Sequence, residues 1–482
     1  MAAASAKSVG TLRATLAFGW PKPLADPAAP QWTMYASRRR AMLSGKPTIL
    51  FLQAPPGPFA PELADTLSAR GCSVHRINLC LGDVLQWGWR PAVSYRGSFA
   101  DWPTYLADYI RRHGITDVLY YGDRLPYHRA AVDVTGALGI RGTVYEFGYL
   151  RPDWITLERE GMSALSHFPR DPEMIRAAAA RLAAPLLEER YTHSFAMEAF
   201  REVFHHLATF FGTPLYPRYN ADSYYNPLVN YLSYIPRLMA SGRRSRRAAT
   251  RTRNWLRIKR KYVLMPLQMQ NDYQLRANAP FNHQREAIEI VLASMKRAAP
   301  PDLDIVFKIH PLDNGRESWS RTVARSAAAL GMAHRVSTID GGHLPTLLDE
   351  ARRVVVINST VGIHAIQRLR PTKVLGLAMF DIPGLTHQGT LDTFWNTPEL
   401  PDSEFRDAFI RLLANTIQVR GSFYNREGRA RAIAEIAGRL LNDAVNEPGG
   451  FVAVPPRLAD ARRLGIELMS DAPSEPELVA HP

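Results

Sequence analysis

The stretch Gly142-Thr143-Val144-Tyr145-Glu146-Phe147-Gly148-Tyr149-Leu150-Arg151-Pro152-Asp153 runs from an apolar strand into a glycine turn that carries Glu146, Arg151 and Asp153. A strand ending in such a turn belongs to an α/β sheet, where the strand ends hold the chemistry. The pattern extends outward. Upstream, apolar strands at Thr48 to Gln53, Ser73 to Asn78 and Asp117 to Tyr121 alternate with helical stretches at Pro61 to Arg70, Trp102 to His113 and Tyr127 to Leu138. Strands alternating with helices of this length predict parallel βαβ units and a Rossmann-like domain over 47–170.

Downstream, from 171 to 261, the alternation stops and helical, aromatic-rich sequence predicts an insertion or linker. Its last part, Arg243 to Lys261, is dense in arginine and lysine with no acidic residue. Alternation then resumes with strands at Tyr262 to Leu267, Ile305 to Ile309, His334 to Ser337, Arg353 to Ile357 and Lys373 to Leu377. This predicts a second Rossmann-like domain over 262–445 with terminal helices. Residues 1–46 read as a flexible extension and the Pro-rich, acidic 446–482 as a disordered tail. The fold class is therefore α/β: two Rossmann-like domains with a helical insertion, the architecture of GT-B glycosyltransferases and of several epimerases and synthases.

At 482 residues the chain suits two cores rather than one. Only Cys72 and Cys80 occur, which excludes a disulfide framework and a cysteine zinc site and fits a reducing compartment. No signal peptide or membrane span is evident, so the chain is expected to be cytoplasmic, and soluble or peripheral to a membrane. A net charge of +14 points to an acidic partner. Nucleic acid is disfavoured because the basic run carries no recognisable module. The absence of HExxH, Walker A and GxGxxG argues against zinc hydrolysis, P-loop ATP use and NAD binding.

Three polar clusters close three strands, and together they predict one cleft. Glu146 and Asp272 form the candidate acid/base or nucleophile pair, one from each domain; each has a bland alternative as a cap or salt-bridge partner. Asn358-Ser359-Thr360-Val361-Gly362 opens a helix after an apolar strand and suits a nucleotide phosphate, or is ordinary capping. His310-Pro311, preceded by Lys308, is placed to meet a departing phosphate, or is a structural histidine before a turn. Asp123 and His128 are backup catalytic or acceptor-binding groups, with helix capping equally able to explain them. Gly57 offers close backbone approach to a ligand or a tight turn. Asp302-Leu303-Asp304 has the DxD metal pattern but precedes its strand, and no metal is expected.

Taken together, Gly57-Pro58-Phe59, Asn78 to Asp83, Gly122 to His128, Glu146 to Glu158, Gln268 to Gln274, His310-Pro311 and Asn358 to Gly362 resemble the KpsS-type capsule polysaccharide biosynthesis proteins, from about Thr48 to Asp443. The resemblance implies a retaining β-Kdo transferase of GT-B fold that uses CMP-Kdo to start a Kdo linker on a phosphatidylglycerol-type lipid. It places Glu146 (Glu-x-Gly-Tyr) as acid/base and Asp272, within Gln268-x-x-x-Asp272-x-Gln274, as nucleophile. Lys308, His310, Pro311, Asn358, Ser359, Thr360 and Gly362 would then line the CMP pocket. Gln268, Gln274, Arg151, Asp123, His128 and Gly57 would meet substrate. Phe147 departs from the pattern, standing where a second acid is expected. The implied partners are the CMP-sugar donor, a glycerophospholipid acceptor, an anionic membrane surface and capsule assembly or export proteins. The rivals are transfer of another nucleotide sugar and a non-catalytic lipid-binding component of capsule export.

Overall fold

The computed structural model describes residues 46–192, 195–221 and 241–466. The N-terminal extension before Lys46, positions 222–240 of the insertion and 467–482 of the tail lie outside them. The first half of the chain supplies strands β1 (Thr48–Phe51), β2 (Ser73–Asn78), β3 (Val93–Ser94), β4 (Asp117–Tyr121), β5 (Arg141–Phe147) and β6 (Trp154–Arg159). The second supplies β7 (Lys261–Pro266), β8 (Leu303–Ile309), β9 (Val336–Asp340), β10 (Arg353–Val356), β11 (Thr372–Val374) and β12 (Gln418–Arg420). They build a seven-stranded sheet, β12-β6-β5-β4-β1-β2-β3, and a five-stranded sheet, β11-β10-β7-β8-β9.

All pairings of the second sheet are parallel, as are those joining β1 to β5 in the first. In both sheets the strand order reverses beside the first strand of the unit, between β1 and β4 and between β7 and β10. Such switch points open a crevice at the carboxyl ends of the strands. Helices cover both faces, which is why the central strands are continuous apolar runs; every residue of β8 is buried.

Strands β6 and β12 were not expected from the sequence. Both are antiparallel additions at one edge of the first sheet, β6 on β5 and β12 on β6. Strand β12 corrects the domain boundary, because it follows the second domain in the chain yet joins the first sheet. The helix after it, Arg426–Leu441, packs Ile433, Ile436 and Leu440 into the core of Ile49, Phe51 and Leu63. Arg429 fixes it to Glu62 of the helix Phe59–Ala69 with bonds of 2.7 and 2.9 Å.

The expected disordered tail is corrected over its described part, 446–466. Asn446 is fully buried and its Oδ1 accepts the Arg159 N–H at 2.9 Å. Phe451 stacks on His167 at 4.5 Å, and the buried Arg457 donates to the carbonyls of Phe168 and Met379. A few anchoring side chains order a segment whose average composition is that of a loop.

The insertion divides between the domains. Its helix Phe195–Phe211 packs on the first-domain helix Leu81–Trp87, while the basic helix Ser241–Arg257 lies against β9. Among the described residues no helix is long and apolar enough to cross a membrane.

Candidate active site between the two domains

Glu146 stands one residue before the end of β5, only 8% exposed. Its Oε2 accepts the Tyr273 hydroxyl at 2.7 Å and the Gln274 side-chain amide at 3.0 Å. Both donors belong to the second domain, on the helix Tyr273–Ala277, which Asp272 caps by accepting the Gln274 N–H at 2.9 Å. Tyr273 reaches Glu146 through a gap that Gly122 leaves: a Cβ at Gly122 would lie 2.4 Å from the tyrosine oxygen, and φ there is +63°. Steric room and backbone sign both require glycine.

Burial pushes the Glu146 carboxyl up to about 7; the Tyr273 hydrogen bond works against this and the nearby Asp272 reinforces it. Asp272 is itself raised by burial, with the Gln274 N–H and Arg151 pulling it back. Two carboxyl groups from facing domains thus share one cleft, both raised by burial, and Glu146 is poised for proton exchange near neutrality. Arg151 is the common cation: its charge acts on Glu146, Asp272, His310 and His364. Its guanidinium lies 5.1 Å from the Phe147 ring, so the residue that replaces the expected second acid is a platform for the arginine.

On the second domain, His310 accepts the Leu312 N–H on Nδ1 at 3.1 Å, which leaves the proton of the neutral ring on Nε2. Burial, then Lys308 and Arg151, depress its pKa to about 4, so it is a neutral donor at physiological pH. Lys308 is buried and drawn down to about 8. Ser359 caps the short helix Val361–Gln367 through Val361 N–H at 3.3 Å, and Thr360 makes no capping bond. A Cβ at Gly362 would strike the Phe380 ring at 2.4 Å, so this glycine serves packing.

Asn358 has an internal role as well. Its Nδ2 donates to the carbonyls of Gln274 and Asn278, and its Oδ1 accepts the Gln268 amide at 2.9 Å. Gln268 and Asn358 together hold the Asp272 loop to the end of β10. From the first domain, Arg124 crosses to Asn278 Oδ1 at 3.2 Å.

Asp123 and His128 are fully buried, which corrects their assignment to substrate. Asp123 accepts the Met162 N–H at 2.9 Å, and His128 donates from Nδ1 to the carbonyls of Tyr121 and Gly122 at the turn. They shape the strand end that admits Tyr273. Gly57 faces Arg201 and Tyr424 on the first-domain side of the cleft. Asp302 and Asp304 pair with Lys261 at 2.7 Å and Arg260 at 2.8 Å, at the end of β8 away from His310.

Two features escaped sequence reasoning. A cavity of about 520 Å³ lies beside Pro311, between the basic helix (Arg244, Thr252, Arg253) and the loop Gly341, Gly342, His343 after β9. Arg244 is anchored there by a bidentate pair with Asp340, at 3.2 and 2.6 Å. Cys80, Asp83 and His205 also bring their ligand atoms within 4.8 Å of one another. Arg76, Leu79 N–H, Gln86 and Thr209 already occupy them, and burial with Asp83 pushes the Cys80 thiol up to about 12, so the group reads as a hydrogen-bonded network. Each feature joins a local run, Cys80 to Asp83 or Asp340 to His343, to an insertion helix distant in sequence, and no motif signals the meeting.

Two facing α/β sheets with parallel centres, with polar groups converging from the carboxyl ends of both, define a GT-B architecture. The chain belongs to the capsule polysaccharide biosynthesis protein family, whose model matches residues 116–424. It is 31% identical over 398 residues to the capsule polysaccharide export protein KpsS of Escherichia coli, covering 81% of this chain and 100% of that one. It is also 31% identical over 419 residues to the capsule polysaccharide modification protein LipB of Neisseria meningitidis serogroup B, covering 82% and 95%. Among solved structures, the β-Kdo 2,7 transferase KpsC of Thermosulfurimonas dismutans aligns with a TM-score of 0.41 and 12% identity over 82% of this chain and 99% of that one. The S. aureus MnaA–UDP structure aligns with a TM-score of 0.30 and 12% identity over 85% and 100%.

Proposed function

We propose that this capsule biosynthesis protein is a glycosyltransferase that moves Kdo from CMP-Kdo to a phosphatidylglycerol-type lipid with retention of configuration, at the cytoplasmic face of the inner membrane. The observation that carries the reading is the pair Glu146 and Asp272, brought from opposite domains into one cleft by Tyr273 and Gln274. In the first step an Asp272 oxygen attacks the anomeric carbon and the bond to the phosphate breaks, CMP leaving with the electron pair. In the second, the acceptor hydroxyl attacks that carbon, the Asp272 ester bond breaks, and the hydroxyl proton passes to Glu146. Two inversions give retention.

The leaving phosphate is met by Lys308, the Nε2–H of His310 and Arg151, whose combined donors and charge offset it without a metal. The cavity beside Pro311 falls within the size range of small-molecule sites and suits the nucleoside half of the donor. Incubation with CMP-Kdo and a phosphatidylglycerol analogue, followed by product NMR, tests the reading; a β-linked Kdo-lipid is expected. Turnover of a different nucleotide sugar from a panel would retain the mechanism and replace the donor, whereas no turnover of any would remove the enzymatic reading.

A further inference from the structure

The helix Phe195–Phe211 separates its side chains by face. Glu202, His205 and Thr209 point inward: Tyr424 donates to Glu202 at 3.3 Å, Gln86 bonds His205 at 2.8 Å, and Thr209 donates to Cys80 at 3.3 Å. The opposite face, at spacings of three, four and seven, is Met197, Phe200, Phe204 and Phe211, which are 49%, 66%, 49% and 70% exposed. Leu215 continues it at 51%. On the neighbouring helix, one turn beyond Leu81, which packs against Gly212, Leu85 is 50% exposed, and beyond that helix Trp89 is fully exposed. Large aromatics so placed on a helix whose other face is well packed mark an interaction surface.

We propose that this face, centred on Phe200 and Phe204, is the surface through which the protein lies on an anionic lipid bilayer. Charge supports a bilayer. The helix's own carboxylates, Glu198 and Glu202, are not on the apolar face, and exposed Arg96 and Arg218 stand at its end, Arg96 5.5 Å from the Tyr216 ring. The chain as a whole carries +14. Aromatic side chains flanked by arginine suit the headgroup boundary. A second copy is a poorer occupant, because a few half-exposed side chains offer a few hundred Å² where a stable interface buries about 1,200 Å² or more.

The face is also joined to the cleft. Through Glu202 the helix touches Tyr424, whose ring lies 6.3 Å from that of Phe147, the neighbour of Glu146; Arg201 of the same helix faces Gly57. Resting on the proposed lipid acceptor, the inference is that this helix brings the first-domain side of the cleft to the leaflet that supplies it.

The test is flotation of the full chain with phosphatidylglycerol–phosphatidylethanolamine vesicles. Phe200→Ser with Phe204→Ser should lower the partition coefficient about tenfold or more, with the thermal melt unchanged. In a second variant, Phe204→Trp in a background where Trp89→Phe removes the exposed indole, the introduced indole should be quenched by brominated acyl chains. Wild-type flotation by the double variant, or binding without quenching, overturns the proposal. So does a dimer in sedimentation equilibrium that these substitutions abolish while vesicles have no effect. Turnover on a short soluble acceptor should survive in the double variant. If wild-type protein floats and is quenched but turns over no nucleotide sugar, the transferase reading falls and the membrane surface stands.

Discussion

Glu146 gathers the tension of the site in one side chain. Burial favours its protonated form, while Tyr273 and Gln274 donate hydrogen bonds that favour the carboxylate. Tyr273→Phe removes one of those donors with little change of shape, so the Glu146 midpoint should rise above about 7. The acidic limb of the transfer-rate profile should move to higher pH with it; an unmoved limb would assign that limb to another group. Glu146→Gln should permit a Kdo adduct on Asp272 but stop its passage to acceptor, seen as a mass increase on intact protein, and Asp272→Asn should form no adduct. His310 makes a different prediction. Since its ring stays neutral down to about pH 4, His310→Ala should weaken CMP binding by about tenfold, roughly one lost charge-assisted bond. Calorimetry with CMP checks this, and unchanged affinity would make His310 a structural residue.

At the scale of the element, the basic helix Ser241–Arg257 has two faces with different work. Ala248 and Thr252 are buried, Trp255 meets Tyr262, and Arg244 is tied to Asp340, whereas Arg243, Arg246 and Arg247 point to solvent. In the sequence the run Arg243 to Lys261 is uniformly basic, and only the fold separates its two faces. Arg244→Gln should therefore lower CMP affinity and loosen the loop after β9. The triple change of Arg243, Arg246 and Arg247 to Gln should leave CMP binding intact and reduce the salt sensitivity of vesicle sedimentation. Equal effects of both variants on CMP affinity would deny the cavity beside Pro311 its nucleoside role.

Across the whole molecule, the C-terminal region closes what the two sheets begin. Strand β12 returns to the first sheet, and Arg457 joins the carbonyl of Phe168 to that of Met379. Arg457→Ala would strand two buried carbonyls, costing about 3 kcal/mol, with earlier proteolytic release of the segment from 446 onward as a second readout. Glu158 is buried nearby, accepts the Tyr149 hydroxyl at 3.3 Å, and is raised by burial to about 8. A carboxyl held above its unfolded value stabilises the fold fully at pH below about 4.5 and loses that contribution as pH rises toward 8. Glu158→Gln should flatten the fall of the melting temperature across that window.

Much of the architecture was legible because it rests on local periodicity. Strands Ser73–Asn78 and Asp117–Tyr121 and helix Trp102–His113 have the bounds that their apolar spacing predicts. That Glu146 and Asp272 come from different domains was legible from their places near the ends of β5 and β7. Strand β12, with three residues, carries too little pattern to register, and β6 is a six-residue run whose Trp154, Ile155 and Leu157 are followed by the charged Glu158 and Arg159. Whether a polar residue at a strand end faces the cleft or the interior is equally hidden, so Asp123 and His128 looked like site residues while Tyr273 did not. Periodicity along the chain dictates which segments become strands and helices. Only packing decides which polar atoms stay wet, since a hydrogen bond such as Tyr273 to Glu146 depends on a gap left by Gly122 in a different domain.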